Sequence, residues 1–312
     1  MKIKKLKSAH LLKDSDLSRD EIISVFELTA KLKKAVKSGK KHALLNGRTL
    51  GMIFEKSSTR TRVSFETGMY QLGGHALFLS KNDIQIGRGE TIADTSRVLS
   101  RYLDGIMIRT FEQNKINELA EYSSIPVING LTDDYHPCQA LTDYFTIFER
   151  VKTLKNVKLA FIGDGNNMVN SLLLTGAILG IDVSVACPAA YTVKPEILEE
   201  VMKAASSSGS KITVTDDINL AAYKADYIYT DVWASMGQEE EMNERKKHFE
   251  SYRISKKLLS DNCPDALVMH CLPAHRGEEI DADVLESENS IVFDEAENRL
   301  HTQKAIMAML MK

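Results

Sequence analysis

The chain has 312 residues, 43% hydrophobic and 27% charged, a composition that excludes bulk disorder, collagen-like repeats and coiled coil and leaves room for about two domains of ~150 residues. Forty Lys and Arg against 43 Asp and Glu leave a net charge of -3, so no global field draws the chain to nucleic acid or to anionic lipid, and any anion must be held by local groups. The four cysteines, Cys138, Cys187, Cys263 and Cys271, form no Cys-x-x-Cys pair and read as free thiols of a cytoplasmic protein in a reducing compartment.

The basic N-terminus runs into the polar stretch Ser8 to Arg19 instead of an apolar core with a cleavage site, so no signal peptide is expected. Ser18-x-x-Glu21 is a capping box, and Ile22, Ile23, Phe26, Leu28, Leu32 and Val36 follow at helical spacing, predicting a helix that starts between Leu17 and Asp20 and ends near Gly39. Strand-like runs then alternate with helical ones: Thr49-Phe54 and Arg60-Leu72, Ala76-Leu79 and Ile92-Tyr102, Gly105-Arg109 and Lys115-Tyr122, Pro126-Asn129 and Cys138-Arg150. This rhythm predicts a parallel sheet with helices on both faces.

The rhythm restarts with strands near Lys158-Ile162, Val183-Cys187, Lys211-Thr215, Tyr227-Thr230, Ala266-His270 and Ser290-Phe293. Helices are expected between them near Asn167-Leu179, Pro195-Ser206, Ile218-Tyr223 and Glu239-Phe249. The longest apolar run, around Met168 to Ile181, carries Asn170 and Ser171 and is too short to span a bilayer, which takes ~20 residues. No Pro/Gly/Ser-rich linker divides the halves, so the domains are expected to join through the helical run Leu141 to Val151. A last helix, Ala296 to Lys312, turns Leu300, Ala305, Ile306 and Leu310 toward a core. The fold class is therefore α/β, with two doubly wound parallel-sheet domains in tandem.

Five clusters at strand ends carry candidate chemistry. In Phe54 to Glu66 an apolar strand gives way to hydroxyls and guanidiniums that open a helix. Unpaired N–H groups and the positive end of the helix dipole there, with Ser58, Thr59, Arg60 and Thr61, make an anion cradle, and Arg supplies a fork that matches phosphate oxygens. The same residues also read as an ordinary helix cap with two solvated arginines. The G-x-x-x-x-G-K pattern is absent, so a nucleotide triphosphate site of that kind is not supported. His136-Pro-Cys-Gln139 opens a second helix, and in a doubly wound sheet it shares a rim with Ser58-Arg62 and Arg109.

Gly163-Asp-Gly-Asn-Asn-Met168 is a strand-to-helix turn holding half of a dinucleotide fingerprint, with Met168 where the third Gly would stand; a tight turn capped by Asn166 or Asn167 accounts for it equally well. Asp231-Val-Trp-Ala-Ser-Met-Gly-Gln238 carries an acidic group out of a sheet, suited to a substrate ammonium. His270-Cys-Leu-Pro-Ala-His-Arg276 offers adjacent side chains that point to opposite faces of a strand, without spaced partners for a zinc site, so no metal is expected. Glu297-Asn-Arg-Leu-His301 by itself reads as the start of the last helix.

Taken in order, these residues resemble the carbamoyltransferase family, and within it the ornithine carbamoyltransferases, over nearly the whole chain. The resemblance implies that carbamoyl phosphate is bound by Ser58, Thr59, Arg60, Thr61, Arg109, His136, Gln139, Cys271, Leu272 and Arg299, and by Gln85 reaching the phosphate of a neighbouring subunit in a trimer or an assembly of trimers. It implies that L-ornithine is held by Asn167, Asp231, Ser235 and Met236, and that Arg60, Arg109, His136, Asp231 and Cys271 carry catalysis. The implied reaction moves the carbamoyl group to the δ-amine, giving L-citrulline and phosphate in arginine metabolism, with no cofactor. It further implies that residues 1–148 bind carbamoyl phosphate, with helix 297–312 packing back on them, and that residues 149–296 bind ornithine. Another amine such as putrescine, an NAD-dependent oxidoreductase and a non-catalytic sensor on the same fold are the competing expectations.

Overall fold

The computed structural model describes residues 3–86, 89–151, 153–234 and 242–312. The chain divides into two compact units, Met1–Phe145 with Asn298–Lys312, and Thr146–Glu297.

The first unit opens with α1 (Arg19–Lys37), where the Ser18 side chain accepts from the Glu21 N–H and the Glu21 carboxylate accepts from the Ser18 N–H, the reciprocal bonds of the capping box. Four strands follow: β1 (Thr49–Phe54), β2 (His75–Ser80), β3 (Gly105–Arg109) and β4 (Val127–Leu131). Between and after them run α2 (Thr59–Gln71), α3 (Ile92–Tyr102), α4 (Gln113–Glu121) and α5 (Pro137–Phe148). All pairings are parallel, in the order β2-β1-β3-β4. The chain therefore leaves β1 toward one edge and returns to its other side as β3, so the strand order reverses between β1 and β3, and ligands of open α/β sheets bind at such points. Leu11 extends the β4 edge, donating its N–H to Val127 O and accepting from the Asn129 N–H. Beneath lies a core of Ile53, Ile106, Ile108, Ile116, Leu119 and Val127.

The second unit repeats the plan with β5 (Lys158–Ile162), α6 (Asn167–Leu179), β6 (Asp182–Ala186), α7 (Pro195–Ser208), β7 (Ile212–Thr215), α8 (Ile218–Ala222), β8 (Tyr227–Thr230), α9 (Met242–Phe249), α10 (Lys256–Asn262), β9 (Leu267–His270) and α11 (Ala282–Leu285). Its five strands are parallel in the order β7-β6-β5-β8-β9, with the reversal between β5 and β8. Ile162, Ile228, Val268, Trp233, Phe249 and Ile280 belong to its core. The chain closes with α12 (Val292–Met311). Helices α5 and α12 continue across the two divisions of the chain.

One predicted strand is absent. Ser290 makes only an isolated bridge to Val268, and by Val292 the chain is helical. Ile291, Val292 and Phe293 look like a strand in sequence, but Asp294 and Glu295 behind them suit a helix N-terminus, and the Glu295 N–H already donates to Ile291 O. Helix α10 was not expected, because its short apolar pair Leu258-Leu259 shows no period, although Ser255 caps it through the Leu258 N–H. Among the described residues, no helix is long and apolar enough to cross a membrane.

Candidate active site

In the first unit the three predicted clusters stand at the carboxyl ends of β1, β3 and β4. Ser58 sits in extended backbone as the N-cap of α2, its oxygen accepting from the Thr61 N–H at 3.2 Å and its hydroxyl donating to Thr61 Oγ1 at 3.0 Å. The cap takes one N–H of the first turn and leaves those of Thr59 and Arg60 without an intrahelical acceptor, as at any helix start. The two arginines of the turn differ in kind. Arg62 is committed, with Nε donating to Glu66 at 2.9 Å and its guanidinium 3.8 Å from the centre of the Phe78 ring. Arg60 is exposed and its guanidinium has no partner among the described residues. Ser58 therefore caps the helix, and Arg60 is the guanidinium of this turn that no described residue engages.

Arg109 ends β3 and is buried, and Glu55 donates its N–H to Arg109 O at 2.9 Å. His136 is buried just before Pro137, which opens α5 where a missing N–H costs nothing. Burial holds the His136 imidazole well below its ordinary pKa, and the charges of Arg299 and Arg109 push it further the same way, so it stays neutral at physiological pH. One helical turn on, Gln139 donates to Asp143 Oδ1 at 2.7 Å while its oxygen accepts from Arg299. Arg299 also faces Thr61 Oγ1 at 3.4 Å, so α12 brings a guanidinium to the start of α2. Gln85 is exposed in the loop after β2 and takes no part in these bonds.

Two residues with no motif of their own tie these strand ends together. The Glu55 carboxylate accepts from Thr110 Oγ1 and, with both oxygens at 2.9 Å, from Lys115 Nζ. Buried Lys56 pairs with Asp133 and stands 4.3 Å from the centre of the Phe111 ring, and the Asp133 N–H donates to Phe111 O. The dipeptide between strand and cradle thus links the β3 and β4 loops. Sequence offers no signal for it, since Lys56 and Asp133 lie 77 positions apart.

In the second unit the clusters meet at the carboxyl ends of β5, β8 and β9, around the strand-order reversal. Asn166 caps α6, its Oδ1 accepting from the Met168 and Val169 N–H groups, and its amide donates to Asp231 Oδ2 at 3.0 Å. Asn167, the predicted ligand residue, is half-buried as the first residue of α6. Buried Asp231 accepts through Oδ1 from its neighbour Val232 N–H at 2.8 Å and from the Cys271 thiol at 3.0 Å. A carboxylate has about four acceptor sites, and these three bonds leave one for a substrate ammonium. Cys271 is the half-exposed cysteine, whereas Cys138, Cys187 and Cys263 are buried. Ser235 and Met236 lie outside the described residues.

Asp164 and Arg245, which the sequence reading did not single out, clamp the Asp231 loop. The guanidinium donates to Asp164 Oδ2 and to Trp233 O, each at 3.0 Å. Burial pushes the Asp164 carboxyl up to about 6, with Arg245 pulling the other way. One donor atom each from Asp231, His270 and Cys271 lies within 4.8 Å of the others, yet both His270 nitrogens are engaged, Nδ1 with the Leu272 N–H and Nε2 with Glu279, so the trio lacks a free imidazole for a cation.

Two doubly wound parallel sheets, one with guanidiniums and a neutral imidazole at its strand ends and the other with a carboxylate, a thiol and an amide, have the make-up expected of a two-substrate α/β transferase. The family model described as "Aspartate/ornithine carbamoyltransferase, carbamoyl-P binding domain" matches residues 9–149, and the one described as "Aspartate/ornithine carbamoyltransferase, Asp/Orn binding domain" matches 155–310. An ornithine carbamoyltransferase of Oceanobacillus iheyensis is 56% identical over 306 residues, 98% of this chain and 95% of that protein. An anabolic ornithine carbamoyltransferase of Pyrococcus furiosus is 52% identical over 95% of this chain and 94% of its own. The solved ornithine carbamoyltransferase of Pyrococcus furiosus superposes with a TM-score of 0.95 at 50% identity, covering 99% of each chain. The chain belongs to the aspartate/ornithine carbamoyltransferase family.

Proposed function

We propose that the protein transfers the carbamoyl group of carbamoyl phosphate to the δ-amine of L-ornithine, giving L-citrulline and phosphate. The observation that carries this reading is the first unit's cradle, where exposed Arg60 at a capped helix start accompanies buried Arg109 and Arg299 around a neutral His136. A phosphate ester of a polarised carbonyl fits it. Arg60 and the first-turn N–H groups near Ser58 and Thr59 bind the phosphate, and Arg109, Thr61 and the His136 N–H donate to the carbonyl oxygen as charge develops. Gln139, whose oxygen accepts from Arg299, belongs to the same carbamoyl phosphate set.

On the second unit Asp231 takes the δ-amine and Asn167 the amino-acid end, with Ser235 and Met236 assigned to the same ligand from the sequence. At a lysine-like pKa near 10.4 only about one amine in a few thousand is neutral at pH 7. The reaction therefore needs the amine to lose its proton when bound, and positive charge together with exclusion of water favours that. Asp231 and Cys271 orient the lone pair, and the departing phosphate takes the proton. Residues 1–148 with 297–312 serve carbamoyl phosphate and 149–296 serve ornithine. The working form is a cytoplasmic homotrimer or assembly of trimers in which Gln85 reaches a neighbour's phosphate, and the exposure of Gln85 supports this.

The test is carbamoyl transfer by purified protein from carbamoyl phosphate to L-ornithine, beside putrescine, N-acetylornithine and L-aspartate, following phosphate and ureido product together. Citrulline from ornithine alone is expected. Transfer to another amine keeps the cradle and overturns the reading of Asp231 to Gly237; no transfer to any acceptor overturns the reaction.

A further inference from the structure

His270 opens the His-Cys-Leu-Pro segment, yet the reaction as drawn leaves it without work. It is 1% exposed, and the Glu279 against it is fully buried. A backbone N–H can only donate, so the 2.9 Å contact between the Leu272 N–H and Nδ1 makes Nδ1 an acceptor and puts the ring proton on Nε2. Nε2–H then donates to Glu279 Oε1 at 3.0 Å. The same oxygen accepts from the His275 N–H at 2.6 Å, and the His270 N–H donates to Glu295 Oε2 at 3.1 Å. The imidazole is held at both ring nitrogens, by one buried carboxylate and one backbone amide, and a second buried carboxylate, Glu295, accepts from the residue's own backbone N–H.

That amide belongs to Leu272, whose φ of +56° lies in the left-handed region. A Leu side chain is strained there, and such backbone persists where the surroundings over-determine it, as they do at many active sites and ligand clamps. The conformation sets the Leu272 carbonyl and amide, and it follows directly on Cys271, whose thiol bonds Asp231. Packing alone does not call for a buried carboxylate–imidazole pair, since apolar residues of similar volume usually serve as well.

We propose that His270 and Glu279 are positioning residues that fix the tautomer and the left-handed turn at Leu272, and so aim the Leu272 backbone and the Cys271 thiol at the acceptor amine. This rests on the carbamoyl-transfer reading above. Glu279 acts through His270, and neither touches substrate.

The test uses four variants of the full chain. Glu279→Gln keeps an acceptor for both N–H groups, and His270→Asn keeps an acceptor near the Nδ1 position. Glu279→Ala and His270→Leu remove them. Each is assayed for kcat and KM with ornithine, for affinity toward inorganic phosphate by calorimetry, and for iodoacetamide uptake by intact-mass spectrometry. The expected result is a loss of at least tenfold in kcat/KM for ornithine in the Ala and Leu variants, with phosphate affinity within threefold of wild type. The same two variants alkylate Cys271 several-fold faster and no other cysteine, while Gln and Asn stay within about threefold of wild type in every measure. The proposal is overturned if Glu279→Ala behaves as wild type, if Gln and Asn rescue nothing, or if Cys138, Cys187 and Cys263 also react, which marks a merely structural role. Absence of citrulline from the wild type sinks the proposed reaction instead, and the alkylation pattern, which needs no turnover, still decides the positioning role.

Discussion

Arg60 and Arg62 stand two residues apart on the same helical turn, and their surroundings give them different work. Arg62 is held by Glu66 and by the Phe78 ring, while Arg60 is exposed without a protein partner among the described residues. A guanidinium that meets charge only when ligand is bound contributes to binding and to the transition state, whereas an exposed i,i+4 ion pair contributes only about 0.3–0.5 kcal/mol to a helix. Arg60→Met is therefore expected to lower kcat/KM for carbamoyl phosphate by about 10²–10³, the usual loss when one donor to developing charge is removed. Arg62→Met should change it by no more than a few-fold and cost a little stability. Steady-state kinetics on the two variants check this, and equal losses would show that the turn acts as a diffuse positive patch. The sequence displayed both arginines and an i,i+4 glutamate for Arg62 alone, but Phe78, which completes the difference, arrives from β2.

The same limit operates on whole elements. Strands such as β1, β3, β5 and β8 were legible to the residue, because a fully buried parallel strand is a continuous apolar run and its end is marked by the first polar side chain. The candidate site was legible wherever a cluster of polar groups followed such a run. Lys56, Arg245 and Glu279 were not, since each is a single charged residue whose meaning comes from a partner elsewhere in the chain. Helix α12 is the hardest case. From Asn298 to Met309 every residue except Leu300 is buried, Arg299, Gln303 and Lys304 among them, so no apolar stripe advertises its inner face. Among the described residues the polar partners of the Lys304 ammonium are His42 and Gln71, at 3.2 and 2.7 Å, and burial pushes that ammonium down to about 8. Between pH 8 and 10.5 the unfolded chain holds the proton that the folded chain has lost, so this group makes stability rise with pH across that window; below pH 8 both states are charged and the full penalty stands. That penalty is at most about 3 kcal/mol, and two lost hydrogen bonds of about 1 kcal/mol each offset most of it. Lys304→Met should then stabilise the first unit by about 1 kcal/mol at pH 7, raising its Tm by about 2–4 °C, with the gain shrinking toward pH 10.5. Calorimetric melts at pH 7 and 10 measure both numbers, and a destabilised variant at pH 7 would mean that the His42 and Gln71 bonds outweigh the buried charge.

At the scale of the molecule, the exposed apolar side chains are unevenly spread. Val63 and Tyr70, seven residues apart, share one face of α2, and Val98 and Tyr102, four apart, share one face of α3; Tyr70 and Tyr102 are 82% and 75% exposed. Strand β2, carrying exposed Leu77, forms the edge of its sheet, and an uncovered edge presents unpaired backbone groups that invite another chain. Apolar stripes beside such an edge mark an association surface. A contact between two different patches of identical chains closes into a ring when the rotation allows it, and a three-membered ring is the form proposed above for the sharing of Gln85. Each tyrosine buried there adds about 1.5–3 kcal/mol per interface, so placing a carboxylate at both positions removes that gain and leaves a charge to be desolvated. Tyr70→Glu/Tyr102→Glu is expected to turn a species of three chain masses into one of a single chain mass by light scattering after gel filtration. Activity should fall with it, because each site loses the glutamine supplied by its neighbour, and Gln85→Ala should lower activity while leaving the mass at three chains. If the doubly substituted chain stays trimeric, the interface lies elsewhere; if it is monomeric and fully active, the site is complete within one chain and Gln85 plays no part across subunits.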